Sequence, residues 1–352
     1  MGRRRGPAFI LFPEIGFMHI LVTGGAGFIG SHLTEALLAR GDRVTILDNL
    51  STGEAGNIEH LFDNPNLGFV EGSVTDAGVT DPLVGGADQV YHLAAAVGVK
   101  LVMEKPVETI ETNVGGTEVV LKAAHRHRKK LLIASTSEVY GKNSTGPLKE
   151  DDDRVMGSVM KHRWAYANTK TLDEFLALAY WNEYQLPVVI VRLFNTVGPR
   201  QSAAYGMVIP NFVESALAGA PIRVFGDGAQ RRCFGHISDV VRGLAGLMDH
   251  PDAPGQVFNI GNPVEIGIEE LAHRVKEMTG SDSEIQIIPY EQAYGQGFED
   301  MKRRVPDTTK IKNIIGWEPQ IQLDEILRSV IDHAIGLREE NKLKAAGSSG
   351  GP

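Results

Sequence analysis

Tyr166 and Lys170 stand four residues apart in RWAYANTKTLDEFLALAYW, a stretch that predicts a helix, so the phenol and the ammonium share one face. A phenol has a reference pKa near ~10, and lowering it by ~3 units takes about 4 kcal/mol of differential stabilisation of the phenolate. Neighbouring positive charge provides such stabilisation and turns the phenol into a general base for a substrate hydroxyl. A Tyr-x-x-x-Lys pair alone is also a common surface pair, so its meaning depends on its company. Ser135, Thr136, Ser137 and Glu138 supply some: they close the predicted strand of KLLIASTSEVYG at its carboxyl end, where open α/β sheets hold their ligands. Tyr140, the rival phenol, has no lysine four residues beyond it and reads as structural.

The second companion is a glycine-rich turn. In ILVTGGAGFIGSHL an apolar run meets Thr23-Gly24-Gly25-Ala26-Gly27-Phe28-Ile29-Gly30, and an amphipathic helix follows at once. Gly24, Gly27 and Gly30 are spaced so that the chain can turn tightly, bring its backbone against a pyrophosphate and pack the helix close to the sheet. Such turns also join strands to helices with nothing bound. Here a further strand, RVTILDN, ends in Asp48, 18 residues past Gly30. A carboxylate there accepts hydrogen bonds from both ribose hydroxyls and repels a 2′-phosphate, which selects NAD over NADP. With NAD bound, the positive nicotinamide ring joins Lys170 in acidifying Tyr166. Without a ligand, Asp48 is simply a strand-terminal turn residue.

The elements that must position these groups follow from the apolar pattern. From Met18 onward, short β-type runs (HILVTG, RVTILDN, GFVEG, DQVYHLAA, KLLIASTS, PVVIVRLFN) alternate with helical stretches. That alternation predicts a doubly wound parallel sheet of the Rossmann type, covered on both faces by helices. After about Thr196 the pattern changes to isolated strands (PIRVFG, QVFNIG, EIQIIP) between helices, which predicts a smaller C-terminal α/β substrate-binding domain. The expected boundaries are 1–17 for an N-terminal extension, 18–195 for the dinucleotide domain, 196–338 for the second domain, with some crossing of the chain between them, and 339–352 for a flexible tail. The chain of 352 residues is long enough for two such units, and its 42 % apolar and 22 % charged residues match a globular composition. A net charge of −9 argues against a nucleic-acid partner. The single cysteine, Cys233, cannot form an internal disulfide, which fits a reducing, cytoplasmic setting. No window approaches the roughly 18 apolar residues of a membrane span, so no membrane partner is expected. The basic start MGRRRGPAFILFPEIGF resembles a secretory signal only superficially, because Pro13 and Glu14 interrupt its apolar stretch. The acidic run Glu150–Asp153 reads as exposed loop, Cys233 as non-nucleophilic and Arg192 and Arg200 as structural; no metal is expected.

The segments TGGAGFIG, YHLAA, ETNVGGTEVV, STSEVYG, YANTK, RLFNTVGPRQ and GWEP resemble the NAD-dependent epimerase/dehydratase family, the extended short-chain dehydrogenases, from Met18 to about Leu337. The resemblance implies a tightly bound NAD that is regenerated in each cycle. Its contacts fall on Gly24, Gly27, Phe28, Ile29, Gly30, Asp48, Asn49, Leu93, Ala94, Ala95, Tyr166 and Lys170. Catalysis falls on Thr136, which holds a sugar hydroxyl, Glu138, Tyr166 as base, and Lys170 on the nicotinamide ribose. The nucleotide-sugar substrate, UDP-linked by resemblance, falls on Asn195, Arg232, Arg304 and Asp307. A homodimer is implied too, through the helix of Thr109 to His125 and the Tyr166 helix.

Three features resemble one branch of that family. Glu138 sits two residues past Thr136, as in UDP-glucuronate decarboxylases and hexose 4,6-dehydratases, but Ser137 replaces the aspartate that dehydratases use as acid. GFEDMKRRVPDTTKIKNIIGWEP and EDDDRVMGSVMKHRWAYANTK also resemble the decarboxylases, while AAVGVKLVMEKPVETIETN lacks the Ser-Pro-rich loop of UDP-xylose synthases. The reaction implied first is therefore decarboxylation of UDP-glucuronate to UDP-xylose. A UDP-glucuronate or UDP-glucose 4-epimerase is the alternative, and a net NAD-dependent sugar dehydrogenase stands behind both.

Overall fold

The computed structural model describes residues 17–98, 104–143, 145–294, 301 and 303–348. The strands β1 (His19–Thr23), β2 (Arg43–Asp48), β3 (Leu67–Glu71), β4 (Gln89–His92), β5 (Lys130–Thr136) and β6 (Val188–Leu193) are parallel. With Gln256–Ile260 they form a seven-stranded sheet in the order Gln256–Ile260, β6, β5, β4, β1, β2, β3. Runs such as VVIVRL are buried almost end to end because helices cover both faces. One layer holds Phe28–Ala39 and Ile237–Asp249, whose Leu33, Leu37, Leu244 and Leu247 share a core with Ile20 and Ile46. The other holds Gly116–His127 and Ala165–Tyr184, with Leu121, Ala124 and Ala177 against Leu131, Ile133 and Ile190.

Chain order reverses between β1 and β4, so a crevice opens at the carboxyl ends of these strands. Thr23, Asp48, His92 and Thr136 are all strand-terminal, and Leu193 leads into Asn195.

Over the crevice lies a second core. Val208–Leu217, Ile268–Thr279 and Leu323–Ser348 pack Val213, Leu271 and Leu327 around Ile222–Phe225, which pairs in parallel with Ile285–Ile288. The strand Arg231–Cys233 is flanked by Glu265–Gly267 and Arg303–Arg304.

Two expectations are corrected. QVFNI and the helix before it, assigned from sequence to the smaller unit, return to the main sheet. Their parallel partner, β6, lies more than sixty residues upstream, and local pattern cannot reveal it. Residues 339–348 are helical rather than a loose tail, because LREENKLKAA contains good helix formers and no breaker before Gly347. The extension expected at 1–17 lies outside the described residues except for Phe17, as do the last four residues of the tail and residues 99–103 of the loop after YHLAA.

Candidate active site

The crevice is a cleft of about 1270 Å³ between the strand ends and the C-terminal unit. At one end, β1 runs into the glycine turn. Gly24 has φ +73°, and a Cβ there would lie 2.7 Å from the Ala94 nitrogen; at Gly30 it would lie 2.1 Å from the Gly24 carbonyl oxygen. These contacts explain why glycine occupies both positions. Gly27 caps the helix Phe28–Ala39 in an extended conformation, with no side-chain cap on the first amides. Gly27, Phe28, Ile29 and Gly30 all line the cleft, so it meets the positive end of the helix dipole. This cradle, which a Cβ would fill, fits a dinucleotide pyrophosphate.

Asp48, 7 % exposed, closes the same end. Its carboxylate accepts the amides of Ala26 (3.0 Å) and Leu50 (2.8 Å), which lower its pKa, but burial dominates and pushes it up. Asn49 accepts the Ser51 amide and hydroxyl and also lines the cleft, as do Leu93, Ala94 and Ala95.

Deeper in, β5 delivers Thr136 and the helix Ala165–Tyr184 delivers Tyr166 and Lys170, and all three line the cleft with Glu138. The Thr136 hydroxyl accepts the Glu138 amide (3.2 Å) and lies close enough to the Tyr166 phenol to lower its pKa. Burial pushes the Tyr166 pKa above its ordinary value, and the carboxylates of Glu138 and Asp173 push it further; Thr136 and Arg304 act in the opposite sense. The expected acidification of the phenol combines Lys170 with the positive nicotinamide ring of bound NAD; the protein's own groups leave the phenol raised. Lys170 Nζ is ion-paired with Asp173 at 3.2 Å, with both side chains nearly inaccessible.

At the far end, Arg304 sits 3.5 Å from the Glu138 carboxylate and donates to Asn195 Oδ1 (2.5 Å), while Asn195 donates to the Cys233 carbonyl (2.8 Å). Arg232 joins them in the wall. Asp307 does not line the cleft. Its carboxylate accepts the Thr309 amide (2.8 Å) at the start of a short helix, and its backbone ties to Leu148.

Several structural partners escaped the sequence reading. Asn113, in a π-helical turn at Glu111–Gly115, pins the cleft loop by accepting the Ala96 amide (2.8 Å) and donating to its carbonyl (3.2 Å). Ser135 donates to Glu174, which also forks onto Arg192 at 2.8 and 2.9 Å, so the strand carrying Thr136 is held from below. Tyr140 is indeed structural, donating to Asn259 Oδ1 (2.7 Å). Glu150, expected in an exposed loop, instead accepts the Asn259 amide (2.8 Å) and its pKa is raised by burial. Cys233 is buried, and burial pushes its thiol up to about 12, against any depression by Arg231 and Arg232. Among the described residues no cluster of His, Cys, Asp or Glu suits a metal. Asp173 alone had a legible signal, lying three residues past Lys170.

The family described as GDP-mannose 4,6-dehydratase matches residues 21–330. The chain belongs to the NAD-dependent epimerase/dehydratase family. Its curated relatives include a protein of Bacillus cytotoxicus named UDP-N-acetyl-alpha-D-glucosaminuronate decarboxylase, 45 % identical over 88 % of this chain and 96 % of that one. A UDP-glucuronic acid decarboxylase 1 of Danio rerio is 38 % identical over 92 % of this chain and 75 % of that protein. Among solved structures, a UDP-glucuronic acid 4-epimerase from Bacillus cereus, in complex with UDP-glucuronic acid and NAD, superposes with a TM-score of 0.83 at 29 % identity, covering 91 % of this chain and all of that one. Family membership fits the cleft, since these relatives share the architecture while their names span different outcomes at the sugar.

Proposed function

We propose that this protein is an NAD-dependent UDP-glucuronate decarboxylase that forms UDP-xylose and CO₂. The observation that carries the reading is the convergence of Thr136, Tyr166 and Lys170 in one cleft, between a glycine cradle and the Glu138–Arg304–Asn195 cluster. Bound NAD supplies reversible hydride uptake at C4 of the sugar and is unchanged over a full cycle. Thr136 orients the C4 hydroxyl and Tyr166, as phenolate, takes its proton. The resulting 4-keto sugar is a β-keto acid: the bond to the carboxylate breaks, its electrons pass toward the C4 carbonyl, and C5 gains a proton. Glu138 and Arg304 position the pyranose, and Arg232 with Asn195 faces the diphosphate, where a guanidinium fork matches phosphate oxygens. Asp307 belongs to the support of that wall rather than to a direct contact.

A 2-acetamido uronate is the second reading, favoured by the 45 % identity to the Bacillus cytotoxicus decarboxylase. A 4-epimerase is the third, favoured by the superposition on the Bacillus cereus epimerase. Mass spectrometry of products from UDP-glucuronate and its 2-acetamido analogue separates them. UDP-xylose with CO₂ and no steady growth of 340 nm absorbance supports the proposal; UDP-galacturonate, or continuous NADH release, overturns it.

The same reading includes a cytoplasmic homodimer. No helix among the described residues is long and apolar enough to cross a membrane. Leu172 and Phe175 on the helix Ala165–Tyr184, with Ile110 in the Thr109–His125 segment, are exposed apolar side chains on the two segments expected to pair. Light scattering at one subunit mass refutes the dimer.

A further inference from the structure

Lys170 is packed where its charge needs a partner: its side chain is 3 % exposed and that of Asp173 is 1 % exposed, with Nζ 3.2 Å from Oδ2. Behind Asp173 runs a line of buried polar groups. Thr117, on the helix Gly116–His127, faces the Asp173 carboxylate closely enough to favour its charge, and Asp173 Oδ1 is buried with no hydrogen-bond partner among the described residues. Thr117 Oγ1 lies 3.1 Å from His92 Nε2, and His92 Nδ1 lies 2.8 Å from Thr23 Oγ1. Thr23 in turn accepts the Ala94 amide (3.3 Å) and directly precedes Gly24. Burial, with the Lys170 charge nearby, pushes His92 down to about 3, so its ring is neutral and bridges the two hydroxyls as a donor at one nitrogen and an acceptor at the other. The hydrogen-bonded line therefore runs from the start of the phosphate-binding turn to Thr117, which faces the Lys170–Asp173 pair.

We propose that Asp173 is a positioning residue: its buried carboxylate anchors the Lys170 ammonium and sets how much of that positive charge reaches the Tyr166 phenol. This rests on the reading of the cleft as a C4-oxidising site and adds a control on its base. Other charges facing the pair are Glu138 and Arg304 at Tyr166, and Glu174 beside Asp173 on its own helix. Glu174 is engaged by Arg192 and Ser135, and Glu138 is offset by Arg304 at 3.5 Å. Asp173 is thus the negative group that meets Lys170 directly. Removing its charge while keeping its shape frees the ammonium to act on the phenol, so the phenol becomes more acidic; burial of the unpaired lysine loosens its placement at the same time.

The test is an ultraviolet difference titration of the Tyr166 phenol, with Tyr166→Phe as the reference that removes this one transition, on the NAD-saturated protein. Asp173→Asn is expected to lower the phenol pKa by about one unit and to weaken NAD binding, read by calorimetry, by about tenfold. Asp173→Glu, which keeps the charge, is expected to restore the parental titration. A merely structural role would lower the melting temperature of both variants without moving the phenol. An Asp173→Asn titration that overlays the parent overturns the proposal. If that variant does not fold, Asp173→Ser serves: it too removes the charge that meets Lys170, so the phenol is expected to become more acidic, and an unchanged or higher pKa overturns the proposal. None of these readouts requires sugar turnover, so an enzyme inactive on UDP-glucuronate would refute the proposed function and leave this proposal to its own result.

Discussion

Gly27 and Gly30 belong to one turn, yet the structure assigns them different physical duties that substitution to alanine separates. A Cβ at Gly30 would sit 2.1 Å from the Gly24 carbonyl oxygen and 2.7 Å from Gly25 Cα, more than an ångström inside ordinary contact with the oxygen. Neither neighbour is the end of a flexible side chain, so the helix must move off β1. Overpacking of this kind costs about 1–3 kcal/mol, which lowers the melting temperature by roughly 1–4 °C in a protein of this size. Displacing the helix start also breaks amide-to-phosphate hydrogen bonds worth about 1.5–3 kcal/mol each, so NAD affinity falls roughly 10- to 150-fold for every amide withdrawn. Gly27 differs. Its φ of −75° with ψ 175° is open to any residue, and its Cβ would meet the same carbonyl at 3.2 Å, a gap that a small adjustment relieves. Gly27→Ala should therefore change folding stability by less than about 1 kcal/mol, the cap penalty and the unfolded-state gain nearly cancelling. The added methyl group still borders the cleft where the pyrophosphate must approach, so NAD affinity falls. Thermal melts and calorimetric NAD titration of both variants check this. The reasoning fails if Gly27→Ala melts as early as Gly30→Ala, or if it retains parental NAD affinity.

Tyr166→Phe should lower turnover by about 10²–10⁴-fold, the range of general acid–base catalysis, while leaving NAD bound, as read from product formation and cofactor content. Because the Glu138 carboxylate raises the Tyr166 phenol, Glu138→Gln should move the acid limb of the kcat/KM profile to lower pH even as the rate falls; a limb moved upward contradicts the assigned electrostatics. Glu174→Ala leaves the Arg192 guanidinium buried without its bidentate partner and should cost about 3–5 kcal/mol by urea unfolding, with a change under 1 kcal/mol excluding the role given to that pair. His92 is held near 3 in the fold against 6.5 when unfolded, so below about pH 6.5 the unfolded chain binds the proton first and stability falls toward pH 3, at about 1.4 kcal/mol per unit. Raised carboxylates such as Asp48 and Asp173 titrate in the opposite sense, so the measurement is the difference in slope between the parent and His92→Gln, expected to be shallower in the variant.

The parts of this molecule that could be read from sequence are those where function and local structure coincide. The glycine turn is legible because its three glycines fall within one strand-turn-helix unit, where Gly27 and Gly30 both face the Gly24 carbonyl, and Tyr166 with Lys170 because side chains four apart share a helix face. Partners supplied across the fold were not legible. Gln256–Ile260 looks like any short apolar strand until β6 is placed beside it. Arg304 meets Asn195 and Glu138 only because the strand Arg303–Arg304 lies against Arg231–Cys233. The acidic run at Glu150 reads as solvated because nothing nearby in sequence announces the Asn259 amide. Asp307, three residues past Arg304, accepts the amide of Thr309 at the start of the helix that follows, a local role that its spacing does not announce.

The far wall of the cleft bears on what becomes of the oxidised sugar. Epimerisation requires the 4-keto pyranose to leave its contacts, turn and present its other face, whereas loss of a β-carboxylate requires only that the ring be held while a bond breaks. Arg304 faces Glu138 and Asn195, and Asn195 is anchored to the Cys233 carbonyl. The Cys233 thiol donates back to the Arg304 carbonyl at 3.3 Å. These residues come from four separate segments, so a side chain that followed a turning sugar would have to break its bonds to several of them together. On the proposed reading, a wall cross-braced in this way would restrain rotation of the sugar and so favour loss of the carboxylate over return of hydride to the opposite face. Arg304, if it meets the sugar there, would add to the same preference, because a positive charge beside developing enolate density stabilises the electron flow that releases CO₂.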